Sequence, residues 1–245
     1  MKFTFGITTT KEPQRMSRNT NNHIREMIDA IRVNEIPEDS YEIIIVGGDN
    51  KYQNDNDVTH FEFDDINPRP GWFTRKKNMI TENAKFDNIV FSHDYIRLDK
   101  DWYKGFLKFG DDWDICMCIH KAIEGHRFRD WLAWDDPDIC YNIDGYSHRI
   151  ALVPYSYTKT KYMQISGFWW TAKKSVMEQD PLDENLAWGD AEDVEWSMRI
   201  RDKYKYVMNT NSIVEVLRPN KKLSSYYLEG DKKYEDSNWI NEWKL

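Results

Sequence analysis

The feature that most constrains the fold is the run Tyr-Glu-Ile-Ile-Ile-Val-Gly-Gly-Asp-Asn at residues 41–50. Its isoleucines and valine follow one another without a polar interruption, which is typical of a parallel strand buried on both faces. Two glycines end the run, as they would at a tight turn. Such a strand requires helices on both sides of its sheet, so the chain is predicted to be an α/β protein with a mostly parallel central sheet.

The segments around this run alternate between strand patterns and helix patterns. Phe3, Phe5 and Ile7 recur at a spacing of two within a predicted strand over residues 2–9, and the apolar residues of 16–33 recur at helical spacing. Further strands are predicted over residues 57–63, 87–96 and 112–120, with a second helix over 74–86. This order favours a Rossmann-like sheet flanked by helices, folded as one domain over residues 1–245.

Composition limits the partners and the compartment of the protein. The net charge of −8 and the lack of a basic block exclude nucleic acid as the main partner. Residues 1–15 have no apolar signal core and no run of about 18 apolar residues occurs, so no membrane span is predicted. The three cysteines are interpreted as reduced thiols, which indicates a cytoplasmic protein.

Two segments depart from the regular pattern. Residues 124–161 are rich in Trp, Asp, Tyr and Pro and only weakly periodic, so they are predicted to form an irregular, functional insertion. Aromatic rings present apolar faces to sugars. The candidates to line a sugar-binding groove within this segment are Trp131, Trp134, Tyr155 and Tyr157. Residues 219–245 are predicted to be a mobile tail.

Polar residues follow three of the predicted strands, at the points where those strands end. Ligands of parallel sheets gather at this edge, which makes the residues candidates for a binding site. The alternative is that the glycines are turn residues and that the carboxylates only accept bonds from backbone amides. The residues concerned are Thr8, Thr9, Thr10, Gly48, Asp49, Ser92, His93 and Asp94.

A group of acidic residues lies at the start of a predicted helix, in the segment Ala-Trp-Gly-Asp-Ala-Glu-Asp-Val-Glu-Trp-Ser-Met-Arg at 187–199. Two interpretations stay open. In the first, Asp190 is the N-cap and Asp193 its partner in a capping box. In the second, Glu192 or Asp193 accepts a proton as a general base. Ala191, Val194 and Met198 are predicted to form the buried stripe of this helix.

Several of these segments resemble the GT-A nucleotide-diphospho-sugar glycosyltransferases. Residues 42–50 look like the second strand of that family, whose end carries an acidic residue that binds the nucleotide base. Residues 75–78 resemble the Ala-Arg-Asn segment that opens the second helix, and 88–95 are similar to the strand that ends in the Asp-x-Asp metal motif. The resemblance runs from residue 2 to about residue 218.

The second half carries the stronger resemblance. Residues 165–177 resemble the glycine-aromatic segment beside the sugar pocket. Residues 188–200 resemble the Trp-Gly-Gly-Glu-Asp motif of the inverting β-1,4-galactosyltransferases and the related motif of the retaining polypeptide N-acetylgalactosaminyltransferases. Residues 212–218 are similar to a strand of the latter family, with Glu215 where its metal-binding histidine would be.

The resemblance implies a transferase that moves a sugar from a nucleotide-diphosphate donor, expected to be a UDP-sugar, to a hydroxyl acceptor such as a carbohydrate. Residues 1–110 would bind the donor and 111–218 the acceptor. Asp193 or Glu192 would be the catalytic carboxylate. Mn²⁺ or Mg²⁺ would be held by Asp94, Glu215 and His93. The residues implied to bind the donor are Thr8, Thr9, Asp49, Lys77, Asp94, Trp169 and Trp170.

The sequence also departs from the family pattern. Ser92 replaces the first carboxylate of the metal motif, and one residue is inserted between Gly189 and Glu192. Basic side chains are therefore candidates to share the neutralisation of the diphosphate: Lys76, Lys77, Lys221 and Lys222. Two other functions stay open, a catalytically silent nucleotide- or sugar-binding module and a nucleotidyltransferase, although the latter lacks its glycine-rich loop after the first strand.

Overall fold

The structure is a computed structural model that describes residues 1–10, 23–48, 52, 55–138, 140 and 150–217. The predictions made for Asp49, Lys221, Lys222 and the segment 219–245 lie outside these residues.

An eight-stranded sheet runs through the molecule in the order β3-β2-β1-β4-β10-β6-β11-β5. Six strands are parallel to one another, while β10 and β5 run antiparallel to their neighbours. The predicted mostly parallel sheet is therefore confirmed. The strands are β1 (Phe3–Thr8), β2 (Tyr41–Val46), β3 (Val58–Phe61), β4 (Asn88–His93), β5 (Ile96–Leu98), β6 (Ile115–Ala122), β10 (Trp169–Lys173) and β11 (Tyr206–Val216).

Helices cover both faces of the sheet, as the buried run in β2 requires. On one face, α1 (Ile24–Arg32) and α3 (Trp102–Phe109) pack with Phe3 and Phe5 into one apolar cluster. On the other face, α2 (Phe73–Asn83), α4 (Lys174–Gln179) and α5 (Glu192–Ile200) pack over a second cluster. Successive residues of a strand alternate between these two cores.

Residues 124–161, predicted as an irregular insertion, contribute two strands to a second, three-stranded sheet in the order β8-β7-β9, and the third strand follows directly after the segment. Its strands are β7 (Leu132–Trp134), β8 (Ile150–Leu152) and β9 (Met163–Gln164), with a 3₁₀ turn over Thr160–Tyr162. The sequence did not reveal these strands, because strands of two or three residues are too short to show a period; the function of the segment stays a prediction. A buried ion pair between Arg127 and Asp130 at 2.7 Å anchors the base of this sheet.

The predicted strand over 87–96 is divided in the structure. The chain turns at Asp94 and Tyr95, so β4 ends at His93 and β5 begins at Ile96. This turn is needed because β5 pairs with β11 at the far edge of the sheet. The predicted halves 1–110 and 111–218 thus share one sheet. Among the helices of the described residues, none combines the length and apolar character that a bilayer crossing requires.

Candidate active site

The carboxyl ends of β1, β2 and β4 meet at one edge of the sheet. The Thr9 hydroxyl donates a hydrogen bond of 2.7 Å to Asp94 Oδ2, and the Thr9 amide donates to the Val46 carbonyl at 3.1 Å. The Thr8 hydroxyl, which is buried, donates to the Ser92 carbonyl at 3.3 Å. The polar residues predicted at separate strand ends are therefore neighbours in space.

A buried lysine on α2 lies at the same edge. Lys76 is 0% exposed, and its ammonium group donates to the Thr9 carbonyl and to Asp65, which is also buried. Burial lowers the pKa of Lys76, and the Asp65 charge opposes that shift. Gly47 has φ +90°, and a Cβ there would lie 2.3 Å from the Thr9 carbonyl oxygen and 2.7 Å from Lys76 Nζ. Only glycine accommodates this approach without strain.

The loop before α5 is bound to the start of α2. The Thr74 hydroxyl and the Trp72 indole each donate a 2.7 Å hydrogen bond to carbonyls of this loop, those of Leu186 and Glu184. The Trp188 amide donates to the Gly71 carbonyl at 2.9 Å. These bonds set the position of α5 relative to the side chains that α2 presents.

The start of α5 differs from the predicted capping box. The N-cap is Ala191, in the left-handed region with φ 57°, and no side chain caps the helix. The Asp190 carboxylate instead accepts a 2.9 Å bond from the Ala187 amide. The prediction of Asp190 as N-cap was wrong because the inserted residue lets the chain turn once more before the helix begins.

The buried face of α5 is also not the predicted apolar stripe. Ala191 is exposed and Met198 is 46% exposed, although Val194 is buried as expected. Glu192, at 9% exposure, lies on the buried face with Trp196. A helical count based on apolar residues misplaced this face because it did not allow a carboxylate to be buried.

A buried lysine compensates the charge of Glu192. Lys77 is 1% exposed and its Nζ lies 4.0 Å from Glu192 Oε1. The same ammonium group donates to the Gly167 carbonyl at 2.8 Å and lies 4.5 Å from the centre of the Trp170 ring. Burial raises the pKa of Glu192 and lowers that of Lys77, while the two opposite charges counter both shifts.

Asp193, the next residue of α5, also carries a charge that acts on Lys77, and its carboxylate accepts bonds from two backbone amides. Its Oδ2 accepts a 3.1 Å bond from the Gly167 amide, and its Oδ1 accepts a 3.0 Å bond from the Val194 amide. Asp193 is partly exposed, in contrast to Glu192. Of the two carboxylates, Asp193 is therefore the one that solvent reaches. We call the group formed by Lys77, Gly167, Trp170, Glu192 and Asp193 the carboxylate cluster.

The turn at Gly167–Phe168 links the carboxylate cluster to the carboxyl ends of β1, β2 and β4. Gly167 bonds to Asp193 as described, and the carbonyl of the next residue, Phe168, accepts a 2.9 Å bond from the His93 amide. His93 directly precedes Asp94. The two predicted parts of the site are thus joined by one tight turn at one edge of the sheet.

The two tryptophans predicted to bind the donor are both fully buried. Trp169 packs edge-on against Trp102 in the core under α3, with ring centres 6.2 Å apart. Trp170 stacks on Phe91 at 4.7 Å in the opposite core. As the strand alternation predicts, they face opposite sides of β10, and Trp170 is the one that belongs to the carboxylate cluster, through its contact with Lys77.

The three side chains predicted to bind a metal do not converge. Glu215 Oε2 accepts bonds of 2.9 and 2.6 Å from the Arg97 guanidinium. The His93 ring stacks on Phe73 with centres 4.7 Å apart. Within the described part of the chain, no group of three His, Cys, Asp or Glu side chains is arranged to hold a metal ion. The donor set named from the sequence therefore does not fit a divalent cation in this arrangement.

Sequence reasoning missed Asp65 and the role of Gly167. The signal for Asp65 is indirect, since a lysine buried on α2 needs a carboxylate partner.

The aromatic side chains predicted to line a sugar-binding groove have partners within the protein. The Trp131 ring stacks on the Tyr206 ring with centres 5.3 Å apart. The hydroxyls of Tyr155 and Tyr157 each donate a 2.7 Å bond, to Asp130 and Asp136 respectively.

No protein-family model and no curated protein sequence matches the chain. Solved structures do. A structure of S. aureus TarS 1-349 in complex with UDP-GlcNAc superposes with a TM-score of 0.59 and 15% identity, over 96% of this chain and 64% of that one. A structure of S. aureus TarS gives 0.61 and 14%, over 89% of this chain and 37% of that one.

GalNAc-T7 with UDP, GalNAc and Mn²⁺ is a further match, with a TM-score of 0.60 and 14% identity. The match covers 92% of this chain and 45% of GalNAc-T7. The chain therefore spans less than two thirds of the length of each of these three structures. At this identity the likeness concerns architecture. The chain has the GT-A fold, as its motifs predicted from the sequence.

Proposed function

We propose that the protein is a glycosyltransferase that moves a sugar from a UDP-sugar to a hydroxyl acceptor. The observation that carries the proposal is the turn at Gly167–Phe168, which joins the Thr9–Asp94 strand ends to the carboxylate of Asp193. A donor site and a proton acceptor are thus next to each other at one sheet edge. This is where ligands of parallel sheets bind.

The donor would lie across the strand ends. Thr8, Thr9 and Asp94 come from the half over residues 1–110. The Asp94 carboxylate, which is partly exposed and accepts a bond from the buried Thr9 hydroxyl, would offer polar atoms to a nucleotide. Asp49 remains a proposed contact to the base. The choice of UDP is supported by the similar structures of S. aureus TarS, which were solved with UDP and UDP-GlcNAc.

Asp193 would be the general base. The acceptor hydroxyl must lose a proton as it attacks the anomeric carbon, and a carboxylate within hydrogen-bond reach takes that proton. Asp193 is partly exposed and is oriented by two backbone amides, whereas Glu192 is buried beside Lys77. We therefore assign proton transfer to Asp193 and a supporting role to Glu192.

The proposed mechanism has no step that depends on a divalent cation. Asp94 is a suitable oxygen ligand for a hard cation, but Glu215 is paired with Arg97 and His93 is stacked on Phe73. GalNAc-T7, which shares the fold, was solved with Mn²⁺. Comparison of UDP binding and turnover in Mn²⁺ with those in EDTA tests whether this chain uses the ion.

One observation favours a second function. Ser92 stands where the family pattern has a metal carboxylate, so the chain fits a nucleotide- or sugar-binding module without catalysis. Such a module would bind UDP and leave UDP-sugars intact. A nucleotidyltransferase would instead bind nucleoside triphosphates and release pyrophosphate.

The test is a thermal-shift and turnover series with UDP, UDP-GlcNAc, UDP-galactose, GDP-mannose and CTP, each with Mn²⁺ or with EDTA. A ligand at about 100 times its Kd adds about 2.7 kcal/mol of apparent stability, which raises the Tm of a chain of this size by about 5–10 °C. We expect this with UDP, together with slow release of UDP from a UDP-sugar.

The matched variants are Asp94→Asn and Asp87→Asn, which lie at opposite ends of the β4 strand. Asp94→Asn is expected to weaken UDP binding at least tenfold, because an amide oxygen accepts hydrogen bonds less strongly than the charged carboxylate that it replaces. Asp87→Asn is expected to leave UDP binding unchanged. A shift with UDP but no turnover of any donor would favour the binding module. Equal UDP affinity in the two variants would contradict the strand-end site.

A further inference from the structure

Two adjacent lysines of α2 point to different parts of the site. Lys76 Nζ lies at the strand ends, against the Thr9 carbonyl and Asp65. Lys77 Nζ donates to Gly167 and lies 4.0 Å from Glu192. Successive residues of a helix are rotated by about 100°, so the two ammonium groups diverge. Lys77 therefore lies in the carboxylate cluster, whereas the sequence predicted that it would bind the donor.

We infer that Lys77 is a positioning residue that keeps Glu192 ionised beside Asp193 and holds the Gly167 turn whose amide orients the Asp193 carboxylate. The inference deepens the proposed function and takes its catalytic meaning from it. The contacts themselves are independent of that function.

The charges around Glu192 explain why a cation is needed there. Lys77 faces Glu192 from α2, Asp193 neighbours it on α5, and Asp190 precedes both in the loop. Two negative groups and burial oppose the ionised form of Glu192, whereas the positive charge of Lys77 and a backbone hydrogen bond favour it. Without Lys77, the buried carboxylate would be neutralised by a proton.

Protonation of Glu192 would affect Asp193 directly. A neutral carboxyl group carries an O–H donor, and the Asp193 carboxylate on the same helix turn is one of the charges that act on Glu192. A hydrogen bond between them would occupy the oxygen that has to accept the proton of the acceptor. Lys77 prevents this by keeping Glu192 an acceptor only.

The second part of the inference is geometric. Lys77 bonds to the carbonyl of Gly167 and Asp193 bonds to the amide of the same residue. The fit is tight, because a Cβ on Gly167 would lie 2.8 Å from Asp193 Oδ2. The ammonium group of Lys77 also contacts the Trp170 ring, whose centre lies 4.5 Å from Nζ. Loss of Lys77 would therefore loosen the turn that aims Asp193.

The titration of Glu192 tests the inference without any assay of activity. Its side-chain carboxyl ¹³C resonance, assigned with Glu192→Gln, is followed against pH in the wild-type chain and three variants. In Lys77→Met we expect the midpoint to rise by about one to two pH units, the size of the effect of an opposite charge at this distance. Lys77→Arg should stay near wild type, and so should the matched control Lys76→Met.

An unchanged Glu192 midpoint in folded Lys77→Met overturns the inference. If Lys77→Met does not fold, the reciprocal measurement decides, because coupling between two sites acts equally in both directions. The ¹³Cε resonance of Lys77 should then titrate at lower pH in Glu192→Gln than in wild type. An equal midpoint in those two proteins overturns the inference as well.

Turnover separates this inference from the proposed function. Lys77→Met should bind UDP like wild type but release it from the UDP-sugar at least tenfold more slowly, with recovery in Lys77→Arg. A wild-type chain that turns over no UDP-sugar overturns the proposed function, whatever Glu192 does. Wild-type turnover together with a wild-type rate in Lys77→Met overturns the positioning role alone.

Discussion

The most informative substitution is Asp193→Asn, because it keeps the shape of the side chain and removes its ability to accept a proton. Asp193 Oδ2 bonds to the Gly167 amide at 3.1 Å and Oδ1 to the Val194 amide at 3.0 Å. An asparagine can accept only one of these bonds, since its NH₂ group meets the other amide as donor against donor. We expect a loss of about 1 kcal/mol in stability and of about 2–4 °C in Tm.

The effect on turnover should be much larger. A positioned general base contributes about 10²–10⁴ in rate, which corresponds to about 3–5 kcal/mol of transition-state stabilisation. The rate of UDP release from the best donor of the ligand series is measured at saturating donor, with Tm recorded for the same samples. Donor affinity should change less than about threefold, because Asp193 is proposed to face the acceptor and not the donor.

Asp190→Asn is the matched control, since Asp190 lies three residues earlier and its carboxylate accepts a bond of 2.9 Å from the Ala187 amide. It should keep a near wild-type rate. The assignment of Asp193 as the base would be refuted if Asp193→Asn retained more than a tenth of the wild-type rate while remaining folded. Equal rate losses in both variants would point to a general role of this loop in folding.

Three further predictions follow from the structure. Gly167→Ala should slow turnover at least tenfold, as judged by UDP release, because its Cβ would lie 2.8 Å from Asp193 Oδ2. Burial lowers the pKa of His120 to about 4, so the stability that depends on neutral His120 is present above pH 6.5 and is lost as the pH falls towards 4; urea titrations should show this decline and its reduction in His120→Gln. Gly105→Ala should cost about 1–3 kcal/mol in urea denaturation, since its Cβ would lie 2.2 Å from the Asn211 carbonyl oxygen.

The sequence by itself was sufficient for the mostly parallel central sheet and its covering helices, but not for the small second sheet. The uninterrupted apolar run of β2 demands burial on both faces, and the alternation of strand and helix patterns demands crossover helices on both faces of the sheet. Both depend on local periodicity, which is written along the chain. The position of the polar residues at the strand ends follows from the same periodicity, since each strand ends where its apolar run ends.

Only the tertiary structure decided how the site is assembled. Whether Lys77 faces the donor or Glu192 depends on where α2 is docked, and that is set by bonds from the distant loop before α5. The pairing of Glu215 with Arg97 likewise arises because β5 and β11 meet at one sheet edge. Partners separated by more than 100 residues leave no periodic signal. Their choice is made by packing, which determines which charge can be buried beside which.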